Sequence, residues 1–213
     1  TARAHGIVPF FESSANDTSD GTLLGNEPSF SVTARIASAP EIEPEGDYRA
    51  AFRMAKFARD IDQSLPILFT GWPSTALAAK QEFAVTLCQS GNYYPTAEAP
   101  YPAGAFAFLD TLRDSVLSRR LPYQDVALIY SARNKDWTFL NAATFNLYER
   151  AFNKLTARHQ PFKILPLETL TAAALQGIDT LVLPGVASIS DAEFNLLASH
   201  PVILMGENGT RDE

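Results

Sequence analysis

The sequence predicts an α/β protein whose second half is a doubly wound parallel sheet. Three short apolar runs carry that prediction: Asp-Val-Ala-Leu-Ile-Tyr-Ser at 125–131, Ile-Asp-Thr-Leu-Val-Leu-Pro-Gly at 178–185 and the one that opens Pro-Val-Ile-Leu-Met-Gly-Glu-Asn-Gly-Thr-Arg-Asp-Glu at 201–213. Each ends in a small or polar residue, and segments with helical spacing lie between them. Alternating strands and helices of this kind bury a parallel sheet on both faces.

Each element of that half has its own signal. Residues 125–131 read as a strand. Residues 139–158 read as a helix with Leu140, Ala143, Leu147, Ala151 and Leu155 inward, the 3.6-residue period of a buried stripe. Residues 162–165 form a short strand, and 167–175 a helix closed near Gly177, a C-cap residue type. Residues 180–183 are the next strand. Residues 190–199 are a helix, with Ser190 and Glu193 spaced as a capping box,. Residues 201–205 make the fourth strand. Right-handed crossovers fold such a β-α-β-α-β-α-β series into an open sheet. The boundary with the first half falls at Leu121 and Pro122, giving domains 1–121 and 122–213. The apolar runs reach close to the last residue, so the sequence reads as part of a longer protein.

The first half alternates strand and helix more loosely. Residues 5–12 read as a buried strand, because Ile, Val and Phe favour the pleated conformation. Residues 13–30 are rich in Ser, Asn, Asp, Gly and Thr and read as a long loop, the kind that often lines a cleft. Residues 40–45 extend the irregular region. A helix is expected over 48–62, with Ala51, Ala55, Ala58 and Ile61 on one face, followed by a strand over 66–71. Residues 74–80 make a helical turn or two, and 82–88 a further strand or buried helix. Residues 89–102 read as loop, and 103–117 as an amphipathic helix.

Composition narrows the function. At 213 residues with 46% apolar side chains, the chain buries a substantial core,. A formal net charge of −7 leaves no basic surplus for phosphates, which argues against nucleic acid or an anionic membrane as partner. No apolar stretch reaches the ~18 residues of a membrane span. One cysteine, Cys88, precludes an internal disulfide or a Cys-based zinc site, and its apolar surroundings point to a buried, inert thiol,. No cofactor is expected: no Gly-x-Gly-x-x-Gly follows a strand, and no Gly-x-x-x-x-Gly-Lys loop is present. The compartment is not legible.

Several residues are candidates for chemistry. Asn26-Glu27-Pro28 places a carboxylate beside an amide. A retaining glycosidase uses such a pair, the acid donating to the glycosidic oxygen while the amide holds a sugar hydroxyl. The same three residues also suit a plain loop turn. Glu12 stands at the end of the strand expected up to Phe11, where parallel α/β enzymes place active-site groups; a solvated strand end is the other reading. Trp72 follows the 66–71 strand, and Tyr93, Tyr94 and Tyr101 lie in the next loop. Aromatic faces there stack on the apolar C–H faces of sugars, although a rim or core aromatic fits equally. In the second half the strand ends carry Ser131, Arg133, Asp136, Gly185, Glu207 and Asn208. In amidotransferase-like domains the fourth strand leads into a Gly-x-Cys-x-Gly elbow. Here residues 205–209 read Met-Gly-Glu-Asn-Gly, so no thiol nucleophile stands there,.

The runs at 126–131 and 178–184, the helix holding Tyr148 and the segment 202–213 together resemble the β-galactosidase trimerisation domain. That flavodoxin-like, class I glutamine amidotransferase-like module follows the (β/α)₈ barrel in glycoside hydrolase family 42 and related enzymes. The resemblance covers about residues 123–213. It implies that residues 1–121 are the C-terminal part of such a barrel and that the whole enzyme hydrolyses glycosidic bonds with two carboxylates. It implies a carbohydrate substrate and a homo-oligomer, a trimer in that family. The family's two catalytic glutamates lie on the fourth and seventh barrel strands, too far apart in sequence for Glu27 and a partner both to fall in the first half. The alternative expectation is a non-catalytic carbohydrate-binding or assembly protein on the same scaffold. The site residues to be tested are therefore Glu12 and Glu27 as catalytic carboxylates, with Asn26, Trp72 and Tyr93 as substrate contacts.

Overall fold

A computed structural model describes residues 10–13, 39–42, 52–53, 56–57, 59–60, 68–71, 75–88, 92–95, 107, 123–137 and 142–210. The chain divides into two compact units, Thr1–Leu121 and Pro122–Glu213.

The first unit holds a four-stranded sheet of β1 (Phe10–Ser13), β2 (Ala39–Ile42), β3 (Leu68–Gly71) and β4 (Asn92–Pro95). The strands stand in chain order and every pair is parallel. Three expectations change here. Residues 40–42, expected to be irregular, lie in β2. Pro40 is tolerated because it pairs only with Phe11 of β1, and the ladder to β3 begins one residue later, at Glu41. A proline lacks the N–H that a strand flanked on both sides must donate. Residues 92–95, expected to be loop, form β4, and two adjacent tyrosines suit a strand. Residues 74–80 and 82–88 are not two elements but one helix, α1 (Ala76–Cys88), joining β3 to β4. Its start is capped by Thr75, whose Oγ1 accepts from the Ala78 N–H at 3.1 Å,. Ala79 and Phe83, one turn apart, are its buried face,.

Within 48–62, the described residues Phe52, Arg53, Lys56, Phe57, Arg59 and Asp60 are helical. Phe57 is fully buried, and Lys56 Nζ meets Asp60 Oδ2 at 2.9 Å with both side chains more than nine-tenths buried (9% and 6% exposed). Ala51, Ala55, Ala58 and Ile61 lie outside the described residues. So does the 103–117 segment apart from Ala107, which is helical.

The second unit runs β5 (Val126–Tyr130), α2 (Ala132–Trp137), α3 (Ala142–Ala157), β6 (Phe162–Pro166), a 3₁₀ turn (Leu167–Thr169), β7 (Thr180–Pro184), α4 (Asp191–Leu197) and β8 (Val202–Met205). Its sheet is parallel in the order β6-β5-β7-β8. One face is lined by Ala127, Ile129, Leu165, Leu181 and Leu183. These pack with Leu167, Leu170, Leu175, Ile178 and Leu197 into a single buried cluster. The other face carries Leu128 and Ile164, both fully buried. It is tied to α3 by aromatic pairs in edge-to-face geometry: Tyr130 with Tyr148 at 5.5 Å and Phe152 with Phe162 at 5.3 Å,.

The buried stripe of α3 is Tyr148, Ala151 and Phe152. It is shifted from the expected one, because the large aromatics claim the sheet while Leu147 and Leu155 sit at its margin. The helix expected over 167–175 is absent. Leu170 turns extended (ψ 135°) after one 3₁₀ turn. Thr171 Oγ1 then accepts from the Ala174 N–H and opens a separate series of turns. Hydroxyl side chains compete with helix propagation in this way. Gly177, at φ 81°, ends those turns rather than a helix.

The inner strands of this sheet are buried along nearly their whole length. The outer strand β8 is not: Ile203 is 53% exposed and Leu204 62%. Since alternate residues point to opposite faces, β8 presents apolar side chains on both.

Candidate functional site

Among the described residues, two places bring polar residues to the C-terminal ends of parallel strands, where α/β proteins do their chemistry. In the first unit the place is the pair β1 and β2. Glu12, expected at the end of the first strand, is the third residue of β1: the ladder runs one residue further, to Ser13, and Glu12 stands in register with Glu41 of β2. Registered residues of parallel strands share a face of the sheet, and neighbouring strands are ~4.8 Å apart. The backbone therefore sets two glutamates side by side one residue before both strands end. Glu41 was not singled out by its sequence, because it sits in a segment, Ala-Pro-Glu-Ile, that reads as irregular. Only the parallel register reveals the pairing.

Tyr93 is the second residue of β4, in register with Phe69 of β3. It is thus a strand residue and not a loop residue as expected. Asn26, Glu27 and Trp72 lie outside the described residues.

In the second unit Ser131, Arg133, Asn134 and Asn208 at the strand ends all bond to neighbouring segments. Ser131 leaves β5 and acts as the N-cap of α2, its Oγ accepting from the Asn134 N–H at 3.0 Å. The same hydroxyl donates to Glu168 Oε1 at 2.6 Å, and that oxygen also accepts from the Arg133 N–H at 2.9 Å. The Arg133 guanidinium grips Glu193 with two bonds, Nη2 to Oε1 at 3.0 Å and Nη1 to Oε2 at 3.3 Å, the fork geometry arginine makes with a carboxylate. Glu193 in turn completes the expected capping box: its Oε2 accepts from the Ser190 N–H at 2.8 Å, and Ser190 Oγ accepts from the Glu193 N–H.

Asn134, only 4% exposed, bridges the exits of β5 and β7. Its Nδ2 donates to the Gly185 carbonyl and its Oδ1 accepts from the Ala187 N–H, both at 2.9 Å. Asn208 plays the matching part after β8, its Oδ1 accepting from the Val186 N–H at 2.8 Å. Gly206 takes φ 73° there, a conformation that favours glycine. The Asn208 side chain is thus spent on holding a backbone amide. Of the polar residues at these strand ends, Ser131, Arg133 and Asn208 were visible as candidates. Asn134, Glu168 and the second role of Glu193 were not, because the α2 helix that aims Asn134 has no apolar period to announce it.

Among the described residues no group of three or more His, Cys, Asp and Glu side chains is placed to hold a metal ion. No described helix is long and apolar enough to cross a membrane.

No protein-family model matches the chain, and no curated protein matches it by sequence. Solved structures do. The β-galactosidase from the psychrophilic Marinomonas ef1 superposes with a TM-score of 0.59 at 14% sequence identity, covering 82% of this chain and 36% of that one. The β-galactosidase from Bifidobacterium adolescentis matches with a TM-score of 0.38 at 21% identity, over 43% of this chain and 44% of that one. The chain thus spans less than half the length of either. The Marinomonas likeness is one of fold alone; this chain is mixed α/β, with two parallel four-stranded sheets among its described residues.

Proposed function

We propose that this chain is part of a glycoside hydrolase of the β-galactosidase type, acting on a carbohydrate by a two-carboxylate mechanism. The observation that carries the reading is the shared fold with the Marinomonas enzyme over 82% of the chain. The chain-order parallel sheet of the first unit supports its assignment to the wall of a (β/α)₈ barrel, in which each strand neighbours the next,. The order β6-β5-β7-β8 supports a flavodoxin-like second domain, whose strand order begins 2-1-3-4,.

Glu12 and Glu41 are the carboxylates we assign to the reaction. In a retaining pair one carboxylate attacks the sugar and the other protonates the leaving oxygen; the register puts these two residues on neighbouring strands, an arrangement unlike the fourth and seventh strands of the family that the sequence resembles. Glu27 keeps its place as an alternative proposed catalytic carboxylate, and Asn26, Trp72 and Tyr93 are retained as proposed substrate contacts. The test is hydrolysis of a panel of nitrophenyl glycosides by the chain and by Glu12→Gln and Glu41→Gln. Each variant is expected to lose at least ~10²-fold in kcat, and external azide to restore turnover in the one that lacks the nucleophile. Full activity in both variants refutes the carboxylate assignment. Failure to cleave any glycoside refutes the hydrolase reading of this chain.

A second reading applies to the second unit alone: an assembly module that completes a homo-oligomer, a trimer in the family it resembles. The exposed Ile203 and Leu204 on an outer strand favour it, since unpaired apolar edges are sites of association. Light scattering on the wild type and on Leu204→Lys tests this. An oligomer that the substitution dissociates supports assembly through β8, and a concentration-independent monomer sinks it.

A further inference from the structure

In the second unit β5 and β7 are neighbours, yet the chain leaves β5 for β6 on one side and leaves β7 for β8 on the other. Connections that diverge from adjacent strands open a crevice at the strands' C-terminal ends, the usual ligand position in doubly wound sheets. Here that crevice is bridged from within. Asn134 is almost wholly buried and makes two bonds of opposite polarity across it, donating to Gly185 O and accepting from Ala187 N. Both partners lie on the β7 exit, a carbonyl and an N–H two residues apart; together they require one donor and one acceptor, and a primary carboxamide offers both.

Four amides around it are committed as well. The N–H groups of Arg133, Asn134 and Val186 are held by Glu168, Ser131 and Asn208, and the Gly209 N–H donates to the Val186 carbonyl. An anion binds at such strand exits through backbone N–H groups that are free to turn to it.

We infer that Asn134 is an internal ligand: its carboxamide occupies the β5/β7 crevice, so the second unit is a closed scaffold that takes no phosphate or flavin there. This inference stands apart from the reaction assigned to the first unit. It also specifies the chemistry of the site that its removal would open, one matched to a small primary amide.

The experiment uses the 213-residue chain. Wild type and Asn134→Gly are melted with and without acetamide, and wild-type backbone amide resonances are followed during titration with inorganic phosphate and, separately, with FMN. Loss of two buried hydrogen bonds lowers Tm of the variant by about 5–10 °C. Acetamide recovers part of that loss in the variant and none in wild type. The amides of residues 131–134 and 185–187 do not respond to phosphate or FMN. Saturable shifts at those amides in wild type overturn the inference, as does a variant that melts with wild type or an acetamide effect equal in both. If the glycine variant does not fold, Asn134→Asp decides. It keeps the acceptor for Ala187 and loses the donor for Gly185, so Tm falls while the Ala187 amide stays protected from exchange. An Ala187 amide exchanging freely in that variant overturns the assignment.

Discussion

The two four-stranded sheets are both parallel, but they differ in how the chain leaves them. In the first unit strand follows strand in chain order, with no reversal. Residues at equal depth on successive strands are then brought side by side, and this is how Glu12 comes to stand beside Glu41. In the second unit the order reverses at β5 and β7, and the crevice made by that reversal is filled by Asn134. The same secondary structures thus place polar residues to opposite ends. A chain-order sheet brings distant residues into register on neighbouring strands, whereas the reversed sheet turns its strand-end groups on one another.

The sharpest contrast inside the second unit is between adjacent strands. Leu183 and Leu204 are register partners on β7 and β8, but Leu183 is 2% exposed and Leu204 62%. Leu183→Ala should cost about 2–5 kcal/mol, the usual range for emptying a core leucine. Leu204→Ala should change stability by less than about 0.5 kcal/mol. Denaturant unfolding of both variants checks this, and equal losses would mean that β8 is covered in solution.

Next in size is Glu193. It closes the capping box and also receives Arg133, with side chains 11% and 23% exposed. Glu193→Ala should cost about 2–3 kcal/mol, since a cap contributes ~1 kcal/mol and a mostly buried charge loses its partner. Arg133→Ala should cost less, because the cap survives. The reverse order in chemical denaturation would show that the cap contributes little.

A smaller loss is expected at Gly206. Its φ of 73° disfavours any side chain, and an added Cβ would press on the Leu147 side chain. Because that side chain can turn aside, Gly206→Ala should cost about 1–2 kcal/mol, mainly as backbone strain. A melting curve unchanged by the substitution would refute the left-handed turn after β8.

The smallest effect has the opposite sign. His159 ends α3 at φ 53°, with the Gln160 N–H donating to Leu155 O at 3.0 Å, a Schellman closure that prefers glycine. His159→Gly should stabilise by about 0.5–1 kcal/mol. A lowered Tm would indicate that the imidazole has a role the backbone does not reveal.

How far the residues announced all this follows from the range of the forces involved. The strands of the second unit are legible because Val126–Tyr130, Phe162–Pro166 and Thr180–Pro184 are apolar runs bounded by turn residues. The Ser190 and Glu193 capping box is legible because both of its bonds close within three residues. The 167–175 segment misled because its spacing is helical while Thr171 caps a new turn locally. Strands β2 and β4 were missed because a proline and a glycine-flanked tyrosine pair read as loop until neighbours pair with them.

Local composition and period were thus enough for the alternation of strand and helix, the apolar core of the second unit and the helix cap. These depend on residues a turn or less apart. Strand order, the pairing of Glu12 with Glu41 and the closing of the crevice by Asn134 came only with the tertiary structure. Each joins residues 21 to 54 positions apart, and no periodicity in a single segment encodes which distant strand will lie beside it.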